Sequence, residues 1–80
     1  MIEEIKKRLA SLNPARLEII DDSHMHQGHA GNSGGGHFTI IIKSDLLAKQ
    51  NRIQSHRQIY GLLDDLIPQK IHALQIKIEI

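Results

Sequence analysis

Eighty residues with no cysteine and a formal charge of +1 bound the protein to one small domain without disulfides, whose core must come from isoleucine and leucine because Phe38 and Tyr60 are its only aromatics. The same composition excludes an iron–sulfur cluster held by this chain's own thiolates, and offers little aromatic surface for stacking single-stranded bases. The charge is too small to select nucleic acid by itself, and without cysteine any metal must be met by nitrogen or oxygen donors.

In chain order, Ile2, Ile5, Leu9 and Leu12 fall at helical spacing, with Glu3 and Glu4 in the first turn and Lys6, Lys7 and Arg8 further on, as the helix dipole favours. Asn13-Pro14 is expected to end that helix. This amino terminus lacks the apolar run of a signal peptide and carries acids that a mitochondrial presequence avoids, and no stretch approaches the ~20 apolar residues of a membrane span. The expectation is a cytoplasmic protein with no membrane partner.

Leu17 to Ile20 reads as a short strand, and His37 to Lys43 as a central one with Phe38, Ile40 and Ile42 on a single face. Between them, residues 21–37 hold four of the six histidines (His24, His26, His29 and His37) in a glycine-rich segment. A connection between strands usually takes about 2–6 residues, so a longer one dense in imidazoles reads as a working loop. The competing reading is that His24, His26 and His29 are simply solvated. Ser44 to Gln50 is ambiguous and has room for a helical turn. Ile53 to Leu66 is expected to be helical, with Ile59, Leu62, Leu63 and Leu66 on its inner face, Asn51 and Gln54 as a capping pair, and Pro68 marking its end. The last segment alternates strictly from Leu74 to Ile80 and is a strand.

The order is helix, strand, strand, helix, strand. A right-handed crossover through the long helix makes the second and third strands parallel, so their starting ends share an edge. The histidine loop enters there, His37 opens the second strand and His72 the third. By alternation His72 shares the parity of Leu74, Ile76 and Ile78, which on its own suggests a histidine hydrogen-bonded at the core margin; convergence with the loop favours a site. His37 is at best a supporting residue, and His56, on the helical face of Ile59, Tyr60 and Leu63, reads as structural. Arg52, Arg57, Lys43, Lys49 and Lys70 scatter around the long helix, where cations are usually just solvated. No clear nucleophile–base pair or phosphate-binding glycine motif points to an enzyme, and Asp21 and Asp22 with one loop lack the rigid support that a hydrolytic metal site needs.

Over essentially all 80 residues the chain resembles the BolA family. The resemblance is carried by Asp22-Ser23-His24-Met25-His26-Gln27-Gly28-His29-Ala30-Gly31 followed by Gly36-His37-Phe38, by Ser55-His56-Arg57-Gln58-Ile59-Tyr60, and by Ile71-His72-Ala73-Leu74. It implies a single α+β domain over residues 1–80, related to the second type of KH fold, with a three-stranded mixed sheet covered by helices. It also implies a non-enzymatic adaptor that joins a monothiol glutaredoxin around a shared [2Fe-2S] cluster with glutathione, in cluster assembly, trafficking or iron sensing. No cofactor is expected in the isolated chain, which is monomeric or weakly dimeric. Carried over to this sequence, the family's cluster ligands are His72 and a loop histidine, His29 in Gly28-His29-Ala30 or alternatively His26.

Some family members regulate stress response and cell morphology as DNA-binding proteins, which makes Arg57, Lys70 and Arg52 the candidate nucleic-acid contacts. Here the chain departs from the family. Ser55 stands where an arginine is usual, and the usual aromatic and glycine near Leu47 and Lys49 are missing. Gly28 and Gly31 have the spacing of a KH nucleic-acid loop but lie between strands rather than helices.

Overall fold

The computed structural model of the chain describes residues 1–23 and 36–79. Helix α1 (Ile2–Leu9) continues as a 3-10 turn over Ala10–Leu12 and stops at Asn13, whose φ of 49° and ψ of 55° are left-handed, a conformation asparagine tolerates better than most residues. Strand β1 (Arg16–Asp21) leads to the histidine-rich segment, and β2 (Gly36–Lys43) leaves it. The ambiguous stretch holds a one-turn helix, α2 (Asp45–Ala48). Helix α3 (Arg52–Leu63) starts one residue earlier than the sequence suggests. Its expected last turn is a 3-10 turn over Asp64–Leu66. The Asn51 side chain caps α3 by accepting from the Gln54 amide at 2.8 Å. Strand β3 (Ile71–Glu79) closes the described chain.

The sheet order is β1-β2-β3, with β1 antiparallel and β3 parallel to the central β2, as the crossover through α3 requires. One face is the core. Phe38, Ile40 and Ile42 of β2 are buried there with Ile5, Leu9 and Leu12, and with Ile59, Leu63 and Leu66, while Leu17, Ile19, Leu74, Ile76 and Ile78 pack at its margins. The helices cover this face alone. The opposite face is open and carries Arg16, Glu18 and Ile20 beside Lys43, Ile41 and Thr39, then Glu79, Lys77 and Gln75. Arg16 joins its two edges, bonding Glu18 at 2.9 Å and Glu79 at 3.0 Å.

Two buried hydroxyls tie the helices together: Ser44 donates to the Leu12 carbonyl at 2.7 Å and Ser55 to the Leu47 carbonyl at 3.2 Å. Ser55 is thus a core-facing residue, not a surface one. At the molecule's flank Arg8 bonds Glu4, the Leu62 carbonyl and the Asp65 carboxylate, so α1 and the end of α3 share one cation. The hydrogen bonds from Arg8 hold both the Asp65 and Glu4 carboxyls below their ordinary values, and the Arg8 guanidinium is correspondingly harder to deprotonate.

Candidate functional site

The parallel pair begins with an irregularity that decides where His72 points. Gly36 pairs with Ile71 but His37 pairs with Ala73, so His72 is an extra residue with no partner in β2. This is a β-bulge. Its effect is visible in the burial: Ile71 is fully buried and Leu74 half-buried, while His72 and Ala73 between them are both exposed. Regular alternation placed His72 with Leu74, Ile76 and Ile78 at the core margin, and the bulge corrects this. Two successive residues face outward, which frees the imidazole from the core without shifting any apolar residue of β3 off its face.

The bulge is held by its neighbours. The Gly36 amide donates to the Lys70 carbonyl at 3.0 Å, and a Cβ on Gly36 would lie 2.3 Å from the Phe38 ring, so glycine is required by packing. Across the mouth of the loop the His37 amide donates to the Ser23 hydroxyl oxygen at 3.0 Å, and the Asp22 amide donates to the His37 carbonyl at 2.7 Å. Ser23 is in turn fixed through its amide to the Asp21 carboxylate, and the Asp22 carboxylate accepts from the Thr39 hydroxyl. Both ends of the histidine-rich segment are therefore pinned beside the bulge. His24, His26 and His29 lie within residues 24–35, outside the described residues.

His37 and His72 meet, with ring centroids 5.3 Å apart and planes tilted by 50°. A shallow depression of about 180 Å³ adjoins them on the open face, lined in part by Asp22, His37, Thr39, Ala73 and Gln75. His37, from the sequence a supporting residue at best, is the imidazole next to His72. One signal could have revealed the geometry. Ile71 and Leu74 are both apolar with two residues between them, so burying both in one strand needs two consecutive outward residues. Among the described residues no group of three or more histidine, cysteine, aspartate or glutamate side chains forms a metal cage. The donor set fits a group shared with another molecule: an exposed imidazole on a rigid strand, a second beside it, and no thiolate.

The other candidates are dispersed. Arg52, Arg57 and Lys70 are exposed, and none takes part in an ion pair among the described residues, but they do not form one patch. Arg52 opens α3 and lines a groove with His56, Ile76, Lys77 and Ile78, which Arg57 and Lys70 do not line. His56 is half-buried at this groove, with no hydrogen bond among the described residues.

The sequence model of BolA-like proteins matches residues 9–79. The chain belongs to the BolA-like family. Its relatives include the DNA-binding transcriptional regulator BolA of Escherichia coli, 32% identical over 75 residues that cover 92% of this chain and 70% of that protein. SufE-like protein 1 of Arabidopsis thaliana is 38% identical over 80 residues, and the match spans 92% of this chain but only 21% of that protein. Among solved structures, BolA1 from Arabidopsis thaliana superimposes with a TM-score of 0.83 at 32% identity, covering 99% of this chain and 89% of that one. The small α+β fold is thus that of BolA domains. No helix among the described residues of this BolA-like domain is long and apolar enough to cross a membrane.

Proposed function

We propose that this BolA-like chain is a non-enzymatic adaptor that pairs with a monothiol glutaredoxin and co-ligates a bridging [2Fe-2S] cluster through His72 and a loop histidine, His29 or alternatively His26. The observation that carries the reading is the bulge, which holds the His72 imidazole exposed beside His37 where both ends of the histidine-rich segment are pinned. An imidazole held on a paired strand is a preorganised ligand that gives up little freedom on binding. Two imidazoles complete only part of a two-iron cluster's coordination, so thiolates of the partner and of glutathione supply the remainder. Nitrogen in place of thiolate raises a cluster's potential and makes its binding sensitive to protons, since protonated imidazole has no lone pair to donate. That chemistry suits cluster trafficking or iron sensing in the cytoplasm.

The test is to mix the chain with a monothiol glutaredoxin, glutathione, iron and sulfide, and to record visible absorption and native mass. A coloured heterocomplex is expected, with little iron bound by this chain alone. A stable coloured cluster formed without any thiol partner would contradict the assignment.

A second reading, a DNA-binding regulator, is favoured by the Escherichia coli relative, a DNA-binding transcriptional regulator. It assigns phosphate contacts to Arg57, Lys70 and Arg52. If it holds, promoter fragments are retained at physiological salt, and Arg57→Ala or Lys70→Ala lowers both affinity and its salt dependence. Binding that ignores sequence and vanishes at moderate salt would reduce it to a charge effect.

A further inference from the structure

Strand β3 has a partner on one side only. The Tyr60 hydroxyl donates to the Leu74 carbonyl at 3.3 Å, so the in-plane polar groups of Leu74 point away from β2. By the two-residue alternation those of Ile76 and Ile78 do the same. Among the described residues no hydrogen bond reaches the Ile76 or Ile78 amides from that side. Helix α3 leaves a groove of about 310 Å³ along this edge, lined by Arg52, His56, Ile76, Lys77 and Ile78. No carboxylate lines it, and neither Arg52 nor Lys77 is engaged by any other described residue.

We propose that this edge receives an extended acidic segment of a partner protein, added as a fourth strand against Ile76 to Ile78, with its carboxylates at Arg52 and Lys77. Backbone amides and carbonyls supply the attachment, and the two cations supply the selection. A second copy of this chain does not fit, because pairing two β3 edges about Ile76 to Ile78 would set Lys77 and Arg52 against their equivalents. The groove is distinct from the histidine site: five residues of strand put Lys77 about 16 Å from His72.

The probe is a short synthetic peptide repeating glutamate-glutamate-valine-valine, which puts carboxylates on both faces of an added strand, titrated into the isotopically labelled full chain and followed by amide shifts and hydrogen exchange. The expected result is perturbation centred on Ile76 to Ile78, slowed exchange of those two amides, and at least a tenfold loss of affinity both for the glutamine version of the peptide and in the Arg52→Glu/Lys77→Glu variant. Far-UV circular dichroism of that doubly exposed variant checks that it is folded. Ile78→Pro, which keeps both cations but removes an outward amide from the edge, should also abolish the exchange protection at Ile76. Equal binding of the glutamine peptide, shifts centred on His37 and His72, self-association through the edge, or absence of any response would each overturn the proposal.

Discussion

Removing His72 altogether should leave the core intact. As the unpaired residue of the bulge, its deletion joins Ile71 to Ala73 and gives plain alternation: Ile71 inward opposite Gly36, Ala73 outward opposite His37, and Leu74 inward as before. No apolar side chain changes face, so the stability change should stay within about 1 kcal/mol. Deleting Thr39 provides the contrast. Thr39 is in regular pairing in the central strand, and its loss turns out either Phe38 or the pair Ile40 and Ile42, all of which are buried. Burial of each such side chain is worth ~1.5–3 kcal/mol, so this deletion should cost at least about 2 kcal/mol. Urea unfolding followed by far-UV circular dichroism separates the two. At a slope of roughly 1 kcal/mol per molar for so small a domain, the midpoints should differ by about 1–2 M. A His72 deletion that falls as far as the Thr39 deletion would show that the residue holds the strand in place, and would refute the argument that the bulge exists to aim it.

Gly36→Ala places a Cβ 2.3 Å from the ring of the buried Phe38 and should destabilise the domain by about 1–3 kcal/mol, read from the same urea curves; a neutral result would mean that the ring has room to turn. Arg8→Gln should flatten the acid limb of the stability curve. Because Asp65 and Glu4 titrate below their ordinary values of 3.8 and 4.5 when folded, their contribution is fully present above those values and is lost as pH falls through the lower folded ones. Thermal melts between neutral pH and pH ~2 should therefore lose less stability on acidification in the variant than in the parent chain. Identical acid limbs would remove Arg8 as the cause.

Much of this architecture follows from local pattern. The burial of Phe38, Ile40 and Ile42 is periodicity, the start of α3 is the Asn51 cap, and the parallel pair follows from the crossover through one helix. The orientation of His72 does not follow, because a bulge is a property of two strands in register, and period-two reading of β3 alone returns the wrong face. The Arg8 junction with Asp65 was equally out of reach, since its partners are brought together only by packing α1 against α3. The histidines of the loop are prominent in composition, yet composition does not choose between His26 and His29 as the proposed ligand. The resemblance to BolA proteins implies the pairing of a loop histidine with His72; the strands bring His72 beside the residues that flank that loop, Ser23 and Gly36.

The most direct test of the account is the visible spectrum and reduction potential of the glutaredoxin complex made with His72→Ala, and with the His72→Ala/His29→Ala double variant. His72→Ala is expected to abolish or grossly alter the spectrum while far-UV circular dichroism stays that of the parent chain, with His29→Ala next in effect and His26→Ala milder. A complex whose spectrum, potential and stability are unchanged in the double variant would contradict the proposed site, even if glutaredoxin still bound.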